Sequence, residues 1–186
     1  MPEPVPRALL DANTLFGALT RDVLLTLAEE DVLDPFWSQR IEEEWTRNLA
    51  AKYSLPQAQV ARIAAKMNAA FPNAVVPAAP ALEARFPRVH PGDRHVAASA
   101  LSAEATHLVT VNEKHFRDPA LEAAGINVIS PDRFVERLIQ EDPGTVLPLL
   151  ERMRSRMTRP PYDRAAFRAL FRKTGLPRSS RLLPKS

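Results

Sequence analysis

The chain has 186 residues, 45% of them hydrophobic, which is enough for one domain with a proper core plus an appendage. It contains no cysteine, which excludes disulfides, thiolate zinc sites and cysteine nucleophiles. No segment approaches the roughly 20 apolar residues that span a bilayer, and the start, MPEPVPR, lacks the apolar core of a signal peptide, so the expectation is a cytoplasmic protein without membrane contact. The net charge of +3 is unevenly spread: residues 141–186 hold eleven Lys or Arg against four acids, so residues 1–140 are net acidic. An acidic body with a basic end suits a polyanion held by one part and processed by another, although a solvated Arg-rich helix face gives the same balance.

In chain order, RALL (7–10) reads as a short buried strand and VLLTLAEE (23–30) as a helix, with Thr20 and Asp22 as candidate caps. PFW (35–37) fits a second strand. Ser38 then caps a helix with Ile41, Trp45 and Leu49 on one face, and Ser54 with Gln57 reads as a capping box for the next helix, which carries Val60, Ile63, Met67 and Phe71. AVVP (74–77) is a third short strand. Five prolines between Pro72 and Pro91 predict an irregular surface loop. A helix from about Asp93 to Glu104 follows, then a strand at HLVTV (107–111), a short helix near Pro119–Ala124, a strand at NVIS (127–130), and a helix with Ser130 as cap and Pro131 in its first position.

Short apolar strands alternating with helices indicate a parallel sheet covered on both faces. Such sheets bind ligands beyond the carboxyl ends of their strands, where Asp11 and Asn112 lie. Past Asp142-Pro143-Gly144 the pattern changes. One helix carries Val146, Leu149, Leu150 and Met153, RPP (159–161) breaks the chain, a second helix carries Phe167, Leu170 and Phe171, and Gly175 caps it. The expected organisation is a body over residues 1–142 and a basic helical appendage over 143–186 that ends in a loose tail.

Four stretches hold groups able to do chemistry: LLDAN (Asp11, Asn13), WSQRIEEEWTRNL (Glu44, beside Glu42 and Glu43), GDRHVAASAL (Asp93) and VTVNEKHF (Thr110, Asn112). Each alone has an ordinary structural reading, with Asp11 and Asp93 as helix caps and Glu43 as a solvated side chain. On a helical wheel Glu42 and Glu44 both flank the apolar stripe, so periodicity leaves the choice between them open. His90, His95, His107 and His115 make no zinc motif by spacing and read as packing or RNA-contact residues.

Taken in order, the four stretches resemble the PIN-domain nucleases, and among them the VapC-type toxins of bacterial toxin–antitoxin pairs. In that family a first strand ends in Asp with Asn two residues on, as in Asp11-Ala12-Asn13. The family's Trp-Ser, followed six residues after the serine by Glu and then by Arg and Leu, falls on Trp37, Ser38, Glu44, Arg47 and Leu49, and this resemblance selects Glu44. A third acid opens a helix reading Asp-Arg-His-Val and then small residues, here Asp93 to Ala98. A later strand ends in Thr, one residue, Asp or Asn, and then Phe, here Thr110, Asn112 and Phe116. The similarity runs over about residues 7–140 and departs at two positions. His90 stands where many relatives carry another acid, and Asn112 where relatives elsewhere in the superfamily carry Asp. The C-terminal helices resemble an extension found in some of these toxins.

The resemblance implies an α/β fold, PIN-like and three-layered α/β/α with a short parallel sheet, plus the C-terminal helical appendage. It also implies an endoribonuclease dependent on Mg²⁺ or Mn²⁺ that leaves a 5′-phosphate and a 3′-hydroxyl, with a cognate antitoxin as partner and a homodimer as a compatible assembly. Asp11, Glu44 and Asp93 would hold the cation, Asn112 would complete the catalytic set, and Asn13 and Thr110 would orient it. Hydrolysing a phosphodiester builds negative charge on an anionic centre, which carboxylates alone would repel and a hard divalent cation with oxygen ligands offsets. Arg152, Arg156, Arg168, Arg172 and Lys173 are the candidates for RNA phosphate contacts. The alternative is an inert PIN-like module that binds RNA or a partner without cleaving it.

Overall fold

The short apolar runs pair into a single five-stranded sheet in a computed structural model that describes residues 4–185. The strands are β1 (Arg7–Leu10), β2 (Asp34–Ser38), β3 (Val75–Val76), β4 (His107–Val109) and β5 (Asn127–Ile129), in the spatial order β3-β2-β1-β4-β5. Every pairing is parallel. In the central strand, Leu9 sits opposite Phe36 on one side and Leu108 on the other. Leu9, Leu10, Trp37, Leu108 and Val109 are fully buried, as expected where both faces of a sheet are covered.

Parallel neighbours need crossovers, and helices supply them. α1 (Ala12–Phe16) and α2 (Ala18–Ala28) link β1 to β2, and α3 (Gln39–Tyr53) and α4 (Gln57–Ala70) link β2 to β3. The chain then returns through α5 (Pro80–Glu83) and α6 (Arg94–Ser102) to β4, and α7 (Pro119–Ala123) precedes β5. The order steps outward from β1 in one direction and then in the other. Right-handed crossovers therefore place α2 and α6 on opposite faces, giving the expected α/β/α layers. The reversal lies between β1 and β4, and a crevice opens beyond the carboxyl ends of those two strands.

α8 (Pro131–Glu141), α9 (Pro143–Arg156), α10 (Arg164–Lys173) and α11 (Ser179–Leu182) complete the chain. α9 packs on α2 and α8, burying Val146, Leu149, Leu150 and Met153 in the same apolar cluster as the strands. Gly175 follows α10 with φ +92, and the Leu176 N–H closes back on the Phe171 carbonyl at 2.8 Å, the left-handed ending that its position suggests.

Several local expectations give way to stronger constraints. Thr20 and Asp22 lie inside α2, whose N-cap is Gly17, because the helix begins one turn earlier, directly after α1. Ser54 does not start α4. It ends α3 in the left-handed conformation (φ 49), and Pro56 is the N-cap of α4 without a side-chain bond. The proline-rich stretch contains α5 and a 3-10 turn over Pro91–Asp93. β4 stops at Val109, two residues short of the expected end, where the Thr110 side chain turns to Asp11.

The expected loose tail is instead folded. The buried Asp132 carboxylate, in the first turn of α8, accepts the backbone N–H groups of Arg178 and Ser179, each at 2.9 Å, and the Ser179 hydroxyl at 2.9 Å. Leu176 and Leu183 bury their side chains on either side of this anchor. Asp132→Ala strands the buried Ser179 N–H while its hydroxyl keeps the Asp132 carbonyl, so we expect a loss of about 2–3 kcal/mol. At a few degrees per kcal/mol for a chain of this size, the melting temperature falls by roughly 5–10 °C in a circular-dichroism melt. An unchanged melt would mean that α11 is not held by this carboxylate.

Candidate functional site

Asp11 is the residue that follows β1. Its N–H continues the ladder to the Val109 carbonyl (3.0 Å), and its side chain then divides its two oxygens between two tasks. Oδ1 accepts the Ala12 N–H at 2.7 Å and so caps α1. Oδ2 accepts the Thr110 hydroxyl and the Asn13 amide, both at 2.7 Å. Thr110 Oγ1 in turn accepts the Asn112 N–H (3.1 Å), and Asn13 Oδ1 accepts the Val111 N–H (3.0 Å). Asp11, Asn13 and Thr110 thus stitch the ends of β1 and β4 into one polar cluster.

Asp11 is 4% exposed. Burial pushes its carboxyl up to about 6, against the opposing pull of the Thr110 and Ala12 hydrogen bonds, and the nearby Asp93 and Glu44 charges push the same way as burial. Those two acids reach it from separate elements, Glu44 from α3 and Asp93 from the turn that opens α6. With Asp11, Asn13, Asn112 and Lys52 they line a cleft of about 800 Å³.

The two glutamates beside Glu44 point elsewhere. Glu42 accepts the Asn68 amide at 2.9 Å, and Glu43 accepts the Gln39 amide at 2.9 Å. Asp93 makes no side-chain cap. It meets His115 Nδ1 at 2.8 Å and lies 3.5 Å from His90 Nδ1. His95 is buried, and burial, helped by the Arg40 charge, depresses it to about 4. It is therefore neutral at physiological pH, and its 3.8 Å approach to Glu44 is a polar contact and not an ion pair.

The structure also assembles a group that sequence spacing does not reveal. Donor atoms of His90, Asp93 and His115 all lie within 4.8 Å of one another, because the backbone N–H of His90 bonds to the His115 carbonyl (2.9 Å) and joins two distant turns. At the rim of the cleft Lys52 sits 5.2 Å from the Phe16 ring and 5.8 Å from that of the exposed Tyr53. Of the appendage cations, Arg152 pairs with Glu30 (2.8 Å) and Arg168 donates to the Ser180 carbonyl (3.1 Å). Arg156, Arg172 and Lys173 are exposed. None of the five lines the carboxylate cleft.

Comparison with known proteins adds one match. Residues 131–184, which span α8 to α11, match the family model of the VapC50 C-terminal domain. No curated protein and no solved structure matches the chain. A VapC-associated C-terminal domain following an all-parallel α/β sheet fits a PIN-like toxin. No described helix is long and apolar enough to cross a membrane.

The raised Asp11 pKa carries a pH signature in the metal-free protein. The unfolded carboxyl ionises near its ordinary value of 3.8 and the folded one near 6, so ionisation disfavours the folded state. The cost is absent below the lower value, grows as pH rises between the two, and is full above the upper one, amounting to about 3 kcal/mol at most. In EDTA, Asp11→Asn should therefore gain stability relative to the parent by roughly 2–3 kcal/mol between pH 4 and pH 7, read from urea unfolding. A difference between the two proteins that does not change with pH would show that Asp11 is not held in this way.

Proposed function

We propose that the chain is a divalent-metal-dependent endoribonuclease, the toxin of a toxin–antitoxin pair, silenced by a cognate antitoxin that covers the acidic cleft. The observation that carries this reading is the approach of Asp11, Glu44 and Asp93 from three elements onto one cleft at the switch point of a parallel sheet. The match of residues 131–184 to a VapC-associated domain supports the toxin class.

The donor set fits a hard cation. Three carboxylates share the cleft with one lining cation, Lys52, and burial holds one of them in a state that a positive ion would relieve. Asp11, Glu44 and Asp93 would hold Mg²⁺ or Mn²⁺, with amide and hydroxyl groups behind them. Bound there, the ion supplies charge neutralisation and Lewis-acid polarisation at a phosphate. The remaining work falls to the chain. Thr110 and Asn13 fix Asp11 Oδ2, and the Asn112 side chain lies on the cleft wall, within reach of the substrate or its waters. Lys52 offers a positive charge to the RNA backbone, and Tyr53 and Phe16 offer faces on which a base can stack.

Incubating the purified protein with RNA in Mn²⁺, Mg²⁺ or EDTA tests the activity. Discrete new ends that require metal are expected, whereas binding without cleavage would return the inert-module reading. Glu44→Gln should lower cleavage by roughly a hundredfold or more, since even groups behind metal ligands are worth 10- to 100-fold. Glu42→Gln and Glu43→Gln should stay within a few-fold of the parent, and equal losses at Glu42 would move the site.

Charge substitutions can examine the appendage without breaking the fold, because removing α9 would expose the core it covers. Replacing Arg156, Arg172 and Lys173 by Gln should weaken RNA binding and reduce the slope of log affinity against log salt by up to about 2 units, at roughly 0.7 per lost single-strand phosphate contact. An unchanged slope would assign the basic face to partner binding or solubility.

A further inference from the structure

The turn at the start of α6 and the 3-10 turn over Glu113–Phe116 bring two imidazoles onto one carboxylate. His115 Nδ1 lies 2.8 Å from Asp93 Oδ2, and His90 Nδ1 lies 3.5 Å from the same oxygen. The tautomer of His90 follows from a neighbouring bond. The Gly92 N–H donates to His90 Nδ1 at 3.3 Å, so that nitrogen carries a lone pair and no proton. That nitrogen and Asp93 Oδ2, 3.5 Å apart, therefore face each other as two acceptors, and a cation between them would satisfy both.

The separations suit such an ion. Donors about 2.1 Å from a common metal in tetrahedral geometry lie roughly 3.4 Å apart, and closer where more ligands bind. The rings are 4.9 Å apart and tilted by 25°, so they must splay slightly to share a ligand. His90, more than half exposed, is free to turn. The backbone is already set by the His90 N–H to His115 carbonyl bond (2.9 Å) and by the Asp93 N–H to His90 carbonyl bond (2.8 Å).

We propose that His90, Asp93 and His115 bind a divalent transition ion of the zinc–cobalt type, in preference to Mg²⁺, through two imidazole nitrogens and one carboxylate oxygen. Imidazole suits these borderline ions and suits Mg²⁺ poorly, whereas an all-oxygen set does the reverse. Asp93 is shared, so an ion here lies beside the Asp11–Glu44 carboxylates. The proposal rests on the nuclease reading for its role and not for its binding. His115 would bind through Nδ1 in the tautomer that carries its proton on Nε2, and water completes the shell on the open side.

The test uses the full chain after chelator treatment, titrated with Co²⁺ by visible absorption and with Zn²⁺ and Mg²⁺ by calorimetry. We expect Zn²⁺ to bind at least tenfold more tightly than Mg²⁺. His90→Gln and His115→Gln, each with an unchanged circular-dichroism spectrum, should weaken Zn²⁺ at least tenfold and remove the intensified Co²⁺ bands, while Glu44→Gln retains them. Wild-type Zn²⁺ affinity and Co²⁺ bands in both histidine variants would overturn the site, as would equal affinity for Zn²⁺ and Mg²⁺ in the parent. Because these readouts use no RNA, loss of the bands in the variants of a protein that cleaves nothing would uphold the metal site and reject the nuclease. Cleavage with Mn²⁺ alongside unchanged bands would do the opposite.

Discussion

The hydrogen bond from Thr110 to Asp11, at 2.7 Å, is the contact on which the geometry of the site depends. β1 and β4 are neighbours at the place where strand order reverses, and the loops that leave them diverge. A carboxylate buried at such a point is costly unless donors surround it. Ala12, Asn13 and Thr110 supply those donors, and in doing so they fix where each neighbouring segment goes. α1 starts on Asp11 and packs against α3, so the helix that caps the first acid also aligns the helix that carries the second. Folding therefore assembles the carboxylates before any ion is considered, and leaves Asp11 with a raised pKa as the residual strain.

Much of this was legible in the sequence, because strands and helices here follow burial. RALL and PFW are too short and apolar to do anything but pair between covered layers, NVIS forms the half-exposed edge beside them, and Ser38 caps α3 with the expected bond to the Ile41 N–H (3.3 Å). Local signals misled where tertiary geometry set the boundary. Ser54 with Gln57 has the spacing of a capping box, yet the turn between α3 and α4 needs a left-handed residue at that point, and Ser54 takes it. The tail read as loose because nothing nearby in sequence holds it, whereas its anchor, Asp132, lies 47 residues upstream of Ser179.

The candidate site divides along the same line. Asp11 and Asn13 are adjacent in sequence and could be read as a unit. Glu44 could not be separated from Glu42 by periodicity, since both flank the apolar stripe. What separates them is Asn68 on α4, which takes up the Glu42 carboxylate, and the cleft, which Glu44 lines. The appendage shows a comparable division of labour within one helix. α9 presents Val146, Leu149, Leu150 and Met153 to the core and Arg152 and Arg156 to solvent, so most of its basic charge and its structural role belong to different faces of the same element.

Asp93 shows how one residue can belong to two polar environments. Towards the cleft it adds negative charge that raises Asp11, and on its other side it meets the two stacked imidazoles of His115 and His90. A fourth acid at the place of His90 would add to the repulsion around Asp11 and leave His115 as the one nitrogen donor beside Asp93. An imidazole there removes a unit of negative charge and substitutes a softer donor. On the proposed reading, the ion that would best suit the Asp93 side of the group is then not the one that would best suit the Asp11–Glu44 side, and sharing a carboxylate would oblige the two preferences to be resolved together.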